Sequence, residues 1–157
     1  MTAVAQKTEV KPTWTTDKMH EMFSHMMANN YMSAMQVLCK QGEAVTKEYQ
    51  EVSKKPMIAY YKKLGVTTPI EIIKAKAEFE TNMFGSKIEF WGDEKEAHLL
   101  YNSCGMWNAM KQCGMEKAQE EKMCASMENC VKEFAQEFGL KGEVKFEGEK
   151  ATITLRK

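Results

Sequence analysis

The sequence predicts an α+β domain, with N-terminal helices, then a β-hairpin, two helices and a second β-hairpin, the helices packed on an antiparallel sheet. Three observations predict it. Apolar residues recur with a period near 3.6 through the first half of the chain, the period changes to 2 after Gly85, and the same alternation returns after Gly139. Glycines or a capping threonine stand at most of the changes of pattern, which marks the element ends independently of periodicity. Helices and hairpins arranged in separate runs, without strict strand-helix alternation, point to α+β architecture.

Residues 1–13 are polar, lack periodicity and contain Pro12, so a flexible tail is expected ahead of a single domain over residues 14–157. Thr15 or Thr16 caps a first helix, with Asp17 favourably placed at the positive end of its dipole. Met19, Met22, Phe23, Met26, Met27, Tyr31, Ala34, Val37 and Leu38 share one broad arc of that helix, the expected buried face, and Gly42 stops it. A second helix from about Glu43 to Leu64 carries Val45, Tyr49, Val52, Met57, Tyr60, Tyr61 and Leu64 as its apolar set. Pro56 is expected to kink it or break it in two. Thr67-Thr68-Pro69 reads as a cap followed by proline in the first turn, opening a third helix through Ile70, Ile73, Ala77 and Phe84.

KIEFW (Lys87–Trp91) and AHLLYNS (Ala97–Ser103) alternate as strands around the turn GDEKE. A short helix from Gly105 to Cys113 then places Met106, Trp107, Met110 and Cys113 at core spacing, and Gly114 closes it. A long helix follows from about Glu116 to Phe138. The last stretch, GEVKFEGEKATITLR, alternates Val144 and Phe146 on one strand and Ala151, Ile153 and Leu155 on its partner.

A chain of 157 residues can bury a continuous core without disulfides. Its 22 basic and 22 acidic residues cancel, and no basic face with interleaved aromatics is visible, so nucleic acid is not an expected partner. The N-terminus lacks a signal-peptide pattern and no segment approaches the roughly 20 apolar residues of a membrane span, so a cytoplasmic protein is expected. In that compartment the five cysteines are thiols or metal ligands. Fourteen methionines suit a deformable core or a pocket lining.

Four cysteines fall between Cys104 and Cys130 with the spacing C-x8-C-x10-C-x5-C, which matches no paired zinc knuckle. Six residues separate Cys124 and Cys130, so on a helix they point about 120° apart and stand about 9 Å apart along the axis. Cys124 and Cys130 therefore read as packing residues at the margins of the stripe Met123, Met127, Val131, Phe134 and Phe138, and Cys113 reads the same way beside Met106 and Met110. Cys104 differs, because it sits where a strand hands over to a helix. Backbone N–H groups and the helix dipole there are expected to lower the pKa of its thiol, and Gly105 would let a ligand approach the backbone. The other reading of Cys104 is a small residue filling a tight corner.

Three histidines accompany it. His98 lies on the face of its strand opposite Ala97, Leu99 and Tyr101. His20 and His25 are about 140° apart on their helix, unlike the pair of a HExxH motif. His20 falls in the apolar arc near Met27 and Tyr31, as a core residue, a pocket residue or an axial ligand, and His25 falls on the polar side.

From Lys87 to Leu155 the order of elements, with Cys104 at the strand-to-helix corner, Gly114 ending the short helix, Cys124 early in the long one and Phe134-Ala135 further along, resembles the L-2-amino-thiazoline-4-carboxylate hydrolase family. That family in turn looks related to 4-vinyl-reductase-like small-molecule-binding domains. KKLGV before a capped helix fits the same pattern more loosely, and the closing hairpin, where the family pattern carries cysteines, has none here. The resemblance implies a pocket between sheet and helices with Cys104 and Cys124 near it.

The leading expectation is a domain that binds a small apolar or sulfur-containing molecule, with Cys104, Cys124, Trp107, Met27, Tyr31, Phe134 and His20 near the ligand. A second is a thiol-dependent hydrolase of a small ring with C–N or C–S bonds, with Cys104 as nucleophile and His20 or His98 as base. A third is a metal or haem protein using thiolates with His20, although no metal-ligand set is assigned. A fourth is an accessory subunit of a larger enzyme, and a homo-oligomer is compatible with all four.

Overall fold

The structure is a computed structural model and describes residues 10–157. Most of the tail expected over residues 1–13 lies outside the described residues; residues 10–13 are exposed and belong to no helix or strand. The elements are α1 (Thr16–Gln41), α2 (Glu43–Leu64), α3 (Pro69–Phe84), β1 (Lys87–Gly92), β2 (Glu96–Ser103), α4 (Gly105–Gln112), α5 (Lys117–Gln136), β3 (Lys141–Glu147) and β4 (Lys150–Arg156). This is an α+β fold.

Local chemistry sets the element ends. Thr15 Oγ1 accepts from the Lys18 backbone N–H at 3.2 Å and starts α1. Thr68 and Glu71 cap α3 reciprocally, each side chain accepting from the other's backbone N–H, with Pro69 in the first turn. α2 is unbroken from Glu43 to Leu64, so of the kink or break expected at Pro56 the break is not made. The carbonyl that Pro56 leaves without a helical donor belongs to Val52, which is 54% exposed, and water can satisfy it there.

The two hairpins join through their second strands into one antiparallel sheet of order β1-β2-β4-β3. Leu99 stands opposite Ile153, and Ala97 opposite Leu155. Alternation turns Ala97, Leu99, Tyr101, Ile153 and Leu155 toward one face, where they form a core with Ile72, Ile73 and Ala77 of α3 and Val131 and Ala135 of α5. Gly142 lets α5 lie directly on β3. A Cβ there would meet the Val131 carbonyl oxygen at 2.6 Å and the Ala135 methyl at 2.8 Å.

α1 turns a different face inward from the one its methionines suggest. Met19, Met22, Met26 and Val37 are 49%, 40%, 56% and 58% exposed, whereas Ser24 and Ala28 are buried. The small residues win because they permit close approach. Ala28 packs against Ala109 and Met110 of α4 in a second, smaller core, and Ser24 Oγ donates to the Phe84 carbonyl at 3.4 Å. α2 likewise leaves Val45, Val52, Tyr60 and Leu64 substantially exposed and buries only Tyr61 fully.

Candidate functional site

α3 and α5 rest on the sheet, but α2 reaches the body of the domain through long side chains. Tyr61 meets Phe134 of α5 edge-on, with ring centroids 5.4 Å apart. Two ion pairs also tie α2 to α5 and its C-cap, Lys54 with Glu133 and Lys62 with Glu137, the latter at 2.8 Å. A cavity of about 200 Å³ remains beneath α2. Lys54, Met57, Ile58 and Tyr61 of α2 line it on one side, and Ile73 and Lys76 of α3 on another. Met127, Cys130, Val131 and Phe134 of α5, with Ile153 and Leu155 of β4, complete the wall. Lys54 and Cys130 also border a polar groove between α2 and α5, so they stand at the margin of the apolar space.

A second set of polar groups lies on the α3 side, away from Lys54. Lys76 Nζ lies 3.1 Å from Glu80 Oε1, and the two side chains are only 19% and 14% exposed. Burial works against the charge on Lys76, but the Tyr101 phenol, the Glu80 carboxylate and Tyr61 beside it more than offset this and hold the ammonium well above the ordinary lysine range. Burial pushes the Tyr101 phenol strongly upward, with Lys76 acting in the opposite direction, and Tyr101 is 4% exposed. Burial also raises the Tyr61 phenol, on which Lys76 and Glu80 act in opposite senses. Tyr61 is 1% exposed, and its hydroxyl is the one buried side-chain N or O atom among the described residues that lacks a hydrogen-bond partner.

Of the residues singled out from sequence, Phe134 lines this cavity and the others lie elsewhere. Trp107 and Tyr31 pack around Ala28, Ala109 and Met110 in the smaller core. Met27 is 37% exposed, and Cys124 is partly buried on α5, where burial and then the carboxylates of Glu120, Glu128 and Glu121 raise its thiol. His20 donates from Nε2 to the Asn82 carbonyl at 3.0 Å and lies over Gly85, holding α1 to the end of α3. His98 pairs through Nδ1 with the Thr154 hydroxyl at 3.0 Å, lies 3.2 Å from Glu96 and stacks on Trp91.

Cys104 occupies the corner expected of it and packs against the larger core, yet the expected activation of its thiol is reversed. Burial pushes the pKa up. The backbone N–H groups of Trp107 and Met106 pull it down less, and Glu80 and Lys76 largely oppose each other. The close approach expected at Gly105 is made by the chain itself. A Cβ on Gly105 would stand 1.9 Å from the Phe84 carbonyl oxygen, and its N–H donates to Ser86 Oγ at 3.1 Å. A Cys–His contact does exist, between Cys113 Sγ and His25 Nδ1 at 3.7 Å, joining α4 to α1. All five cysteines are free thiols.

Among the described residues no group of three or more His, Cys, Asp or Glu side chains is arranged to hold a metal ion, and no helix is long and apolar enough to cross a membrane. The residues that sequence reasoning passed over are Lys76, with Glu80, and Cys130 as a wall residue. Lys76 carried a readable signal, because it falls on the buried stripe of α3 set by Ile72, Ile73 and Ala77, where a lysine is costly unless paired. Glu80, four residues on, is the pair. Nothing in the sequence joined these to Tyr61, which depends on how α2 crosses the domain.

Fold and site together define a helix-covered antiparallel sheet with a partly open apolar cavity beneath α2, bordered by Lys54 and Lys76. Compared with known proteins, the chain matches no family model and no curated protein.

Proposed function

We propose that the chain is a small-molecule-binding domain, as its resemblance to the thiazoline-carboxylate hydrolase and 4-vinyl-reductase-like families also implies. The observation that carries this reading is the cavity beneath α2, with a wall of soft and aromatic side chains, Met57, Met127, Cys130 and Phe134 among them. Where a cavity is present, methionine and aromatic walls can adapt their shape to an apolar guest. For scale, an engineered protein cavity of about 150 Å³ admits benzene, so this one suits a slightly larger guest.

The test is titration with toluene, followed through the methyl resonances of ¹³C-labelled methionines. Met57 and Met127 are expected to shift saturably while exposed Met26 does not move. No shift at either cavity methionine up to the solubility of toluene would defeat the reading.

A further inference from the structure

The cavity opens between a thiol and an ammonium. On α5, Met127, Cys130 and Phe134 recur at helical spacing on the cavity wall, and Ser126, Asn129 and Glu133 recur one residue earlier along the polar groove outside it. Cys130 belongs to both linings, as does Lys54 on α2, so the two stand where the apolar space meets the polar one. Cys130 is partly buried, and it is the only one of the five cysteines on either lining. Lys54 is near enough for the two to act on each other electrostatically, while Glu133 holds its ammonium. The groove sets Glu43, Glu51 and Glu133 against Lys47 and Lys54, one negative charge in excess. Lys76, the other cation on the cavity wall, is already paired with Glu80.

Resting on the reading of this cavity as a binding site, we propose that Cys130 is an acylation site, modified by a thioester whose apolar acyl chain fills the cavity while its polar carrier thiol lies in the groove. The Cys130 thiolate attacks the thioester carbonyl carbon, a new S–C bond forms there, and the C–S bond to the carrier breaks. The proton that Cys130 gives up to water in the groove ends on the departing carrier thiolate, so the step needs no oxidant or reductant. Chain length follows from volume. About 150 Å³ admits the six carbons of benzene, so a cavity of about 200 Å³ takes an acyl chain of about eight. The two spaces also select the class of reagent. A Michael acceptor adds whole and leaves the groove nothing to hold, and an anionic carrier would meet three carboxylates against two ammonium groups. Apolar walls then keep water from the bound thioester and slow its hydrolysis.

S-octanoyl- and S-acetyl-N-acetylcysteamine, two thioesters on one uncharged carrier, test this on the full chain at neutral pH. Mass spectrometry follows the modified peptides, and release by hydroxylamine identifies the thioester. Octanoylation of Cys130 is expected to outrun its acetylation at least about tenfold, a small share of what six more buried methylenes can supply at about fourfold each. Exposed Cys39 should show no such preference, and toluene should slow octanoylation at Cys130 alone. Equal rates of the two reagents at Cys130, the same chain-length preference at Cys39, or octanoylation of Cys130 indifferent to toluene would overturn the acylation assignment. Each of these leaves the cavity reading intact as long as toluene still shifts the Met57 and Met127 methyls. A chain whose cavity methionines ignore toluene and whose Cys130 ignores the octanoyl thioester would lose both readings.

Discussion

The two hydrophobic clusters of this domain are built from different side chains, and the cavity lies beside the one poorer in methionine. The smaller one, where α4 meets α1, is built on Ala28, Ala109 and Met110 and filled by Met32, Met106, Met115, Met123, Tyr31 and Trp107. The larger one, between the sheet and α3 and α5, is built from Ile, Leu, Val, Ala and Tyr, and beside it α2 encloses a cavity with a buried lysine-glutamate pair at its edge. Sulfur and aromatic content is therefore a poor guide to where a pocket lies. Methionine fills irregular space as readily as it lines it. What separates the two regions is buried polarity, since Lys76, Glu80, Tyr61 and Tyr101 cluster beside the larger core.

The comparison breaks first on core truncation. Leu99 is fully buried between strands and helices, and Leu99→Ala should cost about 4 kcal/mol, within the range of rigid-site leucine truncations. Met110→Ala should cost about 2 kcal/mol, because its flexible methionine neighbours can close around the gap. Urea denaturation of both variants measures this, and equal losses would mean that the methionine-filled cluster is as rigid as the sheet core.

Next in size is the buried pair. Lys76→Met leaves Glu80 without its cation in a mostly dry setting and should cost about 3 kcal/mol. Lys76→Met combined with Glu80→Leu should recover most of that loss, since it removes both charges. A double variant as unstable as the single one would show that the pair is not an isolated electrostatic unit.

The element order was legible because periodicity and glycine punctuation are local properties. The break from period 3.6 to 2 at Gly85 and the caps at Thr15 and Thr68 survive into the structure within a residue or two. The buried face of α1 was not legible, because hydrophobicity favours the methionine arc while close packing favours Ser24 and Ala28, and only the partner helix decides between them. The corner at Cys104 was visible, but the balance that governs its thiol was not. Helix-end N–H groups are local, whereas the burial that outweighs them comes from distant chain. Of the cavity, Phe134 and the charged position on the α3 stripe were within reach of the sequence, and Tyr61 was not.

The smallest expected effect is a dependence on alkaline pH, and it bears most directly on the difference between the clusters. Free thiols lose their proton near about pH 8.5 and free phenols near about pH 10. Burial raises Cys104, Tyr61 and Tyr101, which belong to or touch the larger cluster, and it also raises Tyr31 in the smaller one. A raised pKa in the folded state means that above the unfolded value the folded chain binds more protons than the unfolded chain, so stability falls as pH rises. Below about pH 8.5 the contribution of these groups is fully present. Urea midpoints should therefore decline from about pH 8.5 upward, first through the thiols of Cys104 and Cys124 and then more steeply through the tyrosines. Tyr101, at 4% exposure, is shielded more than half-buried Tyr31, so Tyr101→Phe should flatten the decline above about pH 10 more than Tyr31→Phe does. The same burial makes Cys104 react more slowly with iodoacetamide than exposed Cys39 at neutral pH, which peptide mass spectrometry can follow. A Cys104 that alkylates first, or a midpoint unchanged to about pH 10, would mean that water reaches Cys104 and the buried tyrosines, and the contrast between a cluster with buried polar groups and a plain methionine-packed one would fail.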